Sequence, residues 1–408
     1  MHIGATMVQG DDFVYWKRRL THNMWMRVFP QGNGIPPGVY GLDSDGNRIM
    51  DARYQYALDV EMKIIFVSSK VCCLYKNEAG ETDDEGGFAK VMDVLEQLAN
   101  LKDDKGRGFD EVWYTEHHEP ERDFKKPPQP DQPPETERRD CKPQPDGLYG
   151  TEAYKRAITM AITHVENLRK SSDVYRDKIK VGPVLTRYWT EEYRDRHPED
   201  TEDTPCPLYG HYDPGIGDFF GVDMYGKSET DNPPRVVTNL TPTADFLREF
   251  KNYKYESSDP HAGPDNRIRC FPELGYIGIP ADHDGAMRAR WLHEVYDEVS
   301  TWNEAETGWK FQGFIWWNAK GTPSDNPVQG IGIHRWFELN RRHNGLRYCP
   351  TCPVPNPPNC RHGNVDREGG YDTFEVPASK AQETFNHLVE CNFHCAGNDH
   401  CRTQGGLP

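Results

Sequence analysis

Two carboxylates and two imidazoles stand together in Glu116-His117-His118-Glu119-Pro120, just after the apolar run beginning at Glu111. Residues of these types can bind a metal, carry out acid–base chemistry, or merely end a strand. In an extended strand successive side chains point to opposite faces, so Glu116 pairs with His118, His117 pairs with Glu119, and no three ligands converge. The zinc-protease pattern HExxH also needs a helix, on which i and i+4 share a face. The expectation is therefore no metal and no cofactor, with His117 a hydrogen-bonded structural residue. His118 is read as a pocket residue because it borders a candidate acid, Glu119. The bland reading of Glu119 is a solvated strand end, since the residue before a proline is biased to extended geometry. Glu273 is harder to set aside, because it lies within the apolar run RIRCFPELGYIGI, where a carboxylate must be paired or functional.

Elements that could hold these residues recur along the chain. Eight apolar runs read as strands, at 2–7, 24–29, 63–68, 111–117, 179–186, 219–225, 267–273 and 313–318, and amphipathic stretches at 86–101, 151–170, 243–253 and 285–302 read as helices. In the second helix Ala157, Met160, Ala161 and His164 recur at helical spacing. Alternating strands and helices imply a parallel sheet, and eight units imply a closed (β/α)8 barrel, the TIM-barrel architecture. A further helix is expected from about Pro377, with Pro377 in its first turn and Ala381, Phe385, Leu388 and Val389 on one face. Residues 1–392 then form one barrel domain, 319–377 an elaborated loop after the eighth strand, and 393–408 a cysteine-containing tail. Long loops at 125–147, rich in proline, and at 190–217 follow the fourth and fifth strands, on the face where such barrels place their active sites.

The strand ends form a set: Arg27 on the second, Glu119 beyond the fourth, Trp189 after the fifth, Tyr225 on the sixth, Glu273 on the seventh, and Trp316 with Trp317 on the eighth. Two carboxylates on facing strands are what glycoside hydrolysis needs: one protonated to donate to the leaving oxygen, the other ionised to attack the anomeric carbon or activate water. An arginine and a tyrosine near the ionised member would keep it charged and oriented.

These residues in this order resemble the clan A glycoside hydrolases. Glu119 in HHEP resembles the clan's acid/base glutamate after the fourth strand, and Glu273 in CFPELGYIG its nucleophile on the seventh. Arg27 in MWMRVFP, Tyr225 in FFGVDMYG and Trp316 in GFIWWN resemble its second-strand arginine, sixth-strand tyrosine and eighth-strand tryptophan. The clan commonly has asparagine before the acid/base; His118 in that place looks like family 26, the mannanase-type branch, although the remaining family 26 pattern is not matched. The resemblance implies a retaining hydrolase of a β-mannan-like or cell-wall polysaccharide, with Arg27, His118, Trp189, Tyr225 and Trp316 facing the substrate.

Composition bears on partners. A formal charge of −17 argues against nucleic acid or an anionic membrane, because a phosphate field repels such a surface. No apolar run reaches the ~18 residues of a membrane helix, and MHIGATMVQG lacks the layout of a secretory signal. Eleven cysteines nevertheless point to an oxidising setting, and six of them crowd the last sixty or so residues. Those six suit either three disulfides, the preferred reading, or a zinc site of irregular spacing; Cys141 could pair with Cys206, and Cys270 is read as a buried free thiol. An extracellular or virion-associated enzyme reconciles these signals. The alternative is a non-catalytic carbohydrate-binding or structural barrel, for example in a phage tail, with other particle proteins as partners.

Overall fold

A computed structural model of the chain describes residues 2–6, 25–59, 62–117, 120, 150–186, 217–227, 247, 250, 268–277, 286–302 and 311–316. The strands are β1 (His2–Thr6), β2 (Trp25–Val28), β3 (Tyr40–Leu42), β4 (Arg48–Met50), β5 (Ile64–Ser69), β6 (Glu111–Glu116), β7 (Ile179–Val181), β8 (Val184–Thr186), β9 (Phe219–Lys227), β10 (Ile268–Ile277) and β11 (Phe311–Trp316). Seven of the eight expected strands appear as single strands, and the eighth, at 179–186, appears as β7 and β8. The expected helices at 86–101, 151–170 and 285–302 appear as Asp84–Asn100, Gly150–Ser171 and Ala286–Trp302. The expected helix at 243–253 is described only at Leu247 and Phe250, both helical. The helix from Pro377, the loops at 125–147 and 319–377, the six C-terminal cysteines, Cys141 and Cys206 lie outside the described residues, as does all of the 190–217 loop except Gly217.

The chain divides into two compact units. In the one made of Trp25–Met224 and Lys254–Pro272, β2, β5, β6 and β7 are joined in that order by parallel ladders, and β8 pairs in parallel with β9. All described residues of β2 and β5 are buried. That is the signature of a parallel sheet covered on both faces. Its cover includes the helix Asp84–Asn100, capped by Asp83, whose carboxylate accepts from Gly86 N at 2.9 Å, and burying Phe88, Val91, Leu95 and Leu98 along one stripe. The helix Gly150–Ser171 buries Tyr154, Ala157, Ala161 and Val165, while Met160 and His164 are only half-buried. Its inward stripe is thus turned slightly from the expected face. In the other unit, Met1–Met24 with Tyr225–Tyr253 and Glu273–Pro408, β1 pairs in parallel with β11, and Trp302 of the last described helix packs on Phe250 and Phe311 with ring centroids 6.1 and 5.3 Å apart.

The expected single strand 179–186 is divided. Val181 pairs with Tyr114 of β6, Gly182 N still donates to Tyr114 O at 3.1 Å, and then Val184 pairs with Gly221 of β9. Gly182-Pro183 is the changeover, because proline has no N–H for a ladder and a Cβ on Gly182 would stand 2.2 Å from the Phe219 carbonyl oxygen. One stretch of chain therefore serves two ladders in turn. The antiparallel β3–β4 hairpin is not among the expected elements. Its turn is set by Asp43, whose carboxylate accepts from Asp45 N and Asn47 N at 2.9 and 2.8 Å, with Gly46 at φ +80°.

Candidate active site

Strand alternation puts Trp25 and Arg27 of β2, Phe66 of β5, Trp113 of β6 and Phe219 and Asp223 of β9 on the faces that meet. Trp113 packs on Trp25 with centroids 5.1 Å apart and stacks on Phe219 at 4.6 Å, and Phe66 meets Phe219 edge-on at 5.6 Å. Above this aromatic floor Arg27 and Asp223 form an ion pair, Nη1 to Oδ1 at 3.0 Å, with both side chains fully buried. The Arg27 guanidinium also sits 4.8 Å from the Phe29 ring centre and 5.6 Å from that of Phe66, an arrangement favourable to a planar cation. Asp223 was missed in the sequence. The signal was available, because an aspartate inside FFGVDMY needs a partner as much as Glu273 does.

Cys270 of β10 lies beside this pair. Its thiol is pushed well above the ordinary range by burial, and then by the negative charge of Asp223. It is a buried free thiol, as expected from its place in a strand. Gly221 is required here, because a Cβ would come within 2.7 Å of the Pro272 ring.

A second polar cluster lies on the opposite face of β6. The fully buried Glu116 carboxylate accepts from Ser69 Oγ, from Tyr114 OH at 3.1 Å and from the backbone N–H of Cys72 at 3.1 Å. The hydroxyls of Ser69 and Tyr114 are themselves 2.7 Å apart. Cys72 is at the start of the short helix Val71–Leu74, so Glu116 satisfies one of its free donors. Burial, and after it the Glu116 charge, raises both the Tyr114 phenol and the Cys72 thiol well above their usual values.

The expected alternation through EHHE fails at His117. That residue has φ +62°, the left-handed region, and its imidazole Nε2 lies 3.3 Å from Glu116 Oε1. Glu116 thus meets its neighbour His117, while His118 lies outside the described residues. The backbone is held there from two sides: His117 N donates to Ser69 O at 2.9 Å, and Thr115 Oγ1 donates to His117 O at 3.1 Å. The structural role expected of His117 matches this buried, bonded setting. Among the described residues no three His, Cys, Asp or Glu side chains gather as a metal site would need.

Glu273 is only 3 % exposed, and β10 continues past it to Ile277. It therefore lies inside its strand rather than closing it, as Tyr225 does in β9, which runs on to Lys227. Strand positions are described for Tyr225 and Trp316 but their side chains are not, and His118, Glu119, Trp189 and Trp317 lie outside the described residues.

The observed class is thus an α/β protein with parallel ladders, buried charged residues on its strands, and helices between them. No family model and no curated protein matches the sequence. Among solved structures the chain is similar to a Bacteroidetes-affiliated GH5 cellulase linked with a polysaccharide utilization locus, at 9 % identity over 96 % of this chain and 92 % of that one, with a TM-score of 0.45. It is also similar to a GH26 β-mannanase from Bacteroides ovatus, at 15 % identity over 78 % and 81 % of the two chains with a TM-score of 0.40, and to a hyperthermophilic β-glucosidase from Pyrococcus furiosus, at 14 % over 94 % and 86 % with a TM-score of 0.37. Likeness at this level assigns this chain neither a substrate nor catalytic residues.

Proposed function

We propose that the protein is a glycoside hydrolase on a (β/α)8 barrel, cleaving a polysaccharide with retention of anomeric configuration. The observation that carries this reading is Glu273, a carboxylate 3 % exposed inside strand β10, at the place in the chain where the resemblance to clan A hydrolases puts the nucleophile. In the mechanism, Glu119 donates its proton to the glycosidic oxygen as the Glu273 carboxylate attacks the anomeric carbon, forming a glycosyl ester and releasing the leaving sugar. Water then attacks that carbon, Glu119 takes its proton, and the Glu273 carboxylate is released. Arg27, His118, Trp189, Tyr225 and Trp316 face the sugar in this reading, and Asp223 anchors Arg27.

The test is incubation of wild type and Glu273→Gln with β-mannans, β-glucans and cell-wall polysaccharides, with product lengths and the anomer first formed both recorded. Wild type alone should yield products, and their initial anomer should be that of the substrate. Inverted product would sink the retaining mechanism. Binding without cleavage by either protein would replace the enzyme with a carbohydrate-binding barrel.

A further inference from the structure

We infer that Glu116 and His117 are positioning residues for the acid/base glutamate, setting the direction in which the chain leaves β6. The inference rests on the hydrolase reading above. A non-glycine residue at φ +62° is uncommon, and such a conformation persists only where its surroundings over-determine it. Here they do. The His117 N–H is held by Ser69 O and its carbonyl by Thr115 Oγ1, and its ring lies against the Glu116 carboxylate, Nε2 to Oε1 3.3 Å, which is itself fixed by Ser69, Tyr114 and Cys72 N. Strand β5, strand β6 and the helix Val71–Leu74 are thereby tied to one peptide.

Glu116 touches no substrate in this scheme, because it shares a face of β6 with Tyr114 while Trp113 packs on Phe219 from the opposite face. Its action is indirect. Glu119 follows His117 by two residues in the sequence, and with at most ~3.3–3.6 Å of chain per residue between them a change of direction at His117 is felt directly at Glu119. Displacement of a reacting group by ~1 Å can already cost about 100-fold.

The test uses leaving groups. A dinitrophenolate departs without protonation, whereas a sugar hydroxyl needs the acid. Values of kcat/KM are compared for wild type, Glu116→Gln, His117→Gly and Glu119→Ala. The substrates are the polysaccharide that wild type cleaves and the 2,4-dinitrophenyl β-glycosides of cellobiose and mannobiose. Glu116→Gln and His117→Gly should lose about 10- to 100-fold on the polysaccharide and stay within about 3-fold of wild type on the activated glycoside, a split that a merely structural role would not produce. Should Glu116→Gln not fold, His117→Gly decides, because glycine tolerates the left-handed turn, so the chain can still fold, but visits φ < 0 as readily and no longer fixes that turn. Equal losses on both substrates, or no loss on the polysaccharide, overturn the inference. If Glu119→Ala itself shows no such selectivity, or wild type cleaves nothing, the hydrolase assignment falls and takes the inference with it. Selectivity in Glu119→Ala but in neither of the other variants leaves the assignment standing and removes only the positioning role.

Discussion

The buried pair Arg27–Asp223 invites a double-mutant cycle. At 3.0 Å between Nη1 and Oδ1, with the centres of charge somewhat farther apart, the attraction is about 4–6 kcal/mol at an effective dielectric of ~20. Desolvating both groups consumes much of that, so the pair contributes little net, but removing one member strands the other and costs about 3–5 kcal/mol. Against a total stability of roughly 5–15 kcal/mol, either single change is severe. Arg27→Met keeps an apolar stem against Phe29 and Phe66, and Asp223→Asn keeps the shape of the acid; each should lose about 3–5 kcal/mol. The double variant should lose less than the sum of the two by about 2–3 kcal/mol. Urea unfolding followed by tryptophan fluorescence is the assay, since Trp25 and Trp113 pack with ring centroids 5.1 Å apart in the same core. Single variants within about 1 kcal/mol of wild type, or losses that add to within ~0.5 kcal/mol, would refute the idea that these charges depend on each other.

Two further outcomes are expected. Cys72, Cys270 and Tyr114 are held protonated by burial to well above their usual values, whereas unfolded thiols ionise near pH 8.5 and unfolded phenols near 10. The unfolded state therefore binds fewer protons above about pH 8.5, so stability falls as pH rises from there, by at most ~1.4 kcal/mol per pH unit for each group. Unfolding midpoints at pH 7 and above pH 9 should show the decline, and Cys270→Ala should lessen it; parallel profiles for the two proteins would count against this account. Separately, Gly182→Ala drives a Cβ to 2.2 Å from the Phe219 carbonyl, which should cost about 1–3 kcal/mol or more. A melting temperature equal to that of wild type would show that the changeover between β7 and β8 is not tightly packed.

Most strands and three helices were legible because their signals are local. Buried parallel strands read as near-continuous apolar runs such as KIIFVS and EVWYTE, and the helix Asp84–Asn100 carries both a capping aspartate and an apolar stripe. Glu273 was legible for the same reason, as a charge within an apolar run. What local pattern determined about this protein is thus which segments become strands and helices, and which charged residues must go inside with them.

Partners belong to the tertiary structure. Arg27 meets Asp223 across 196 positions of sequence, and nothing near either residue names the other. The division of 179–186 between β6 and β9 follows from the two neighbours available to it, and the sequence shows only the Gly-Pro that permits the change. EHHEP is the clearest case. Alternation assigned Glu116 to His118, but alternation holds only while the backbone stays extended. The left-handed turn at His117 is held by backbone bonds to Ser69 of β5 and to Thr115 of the motif's own strand, and a pattern of residue types does not encode that dihedral angle.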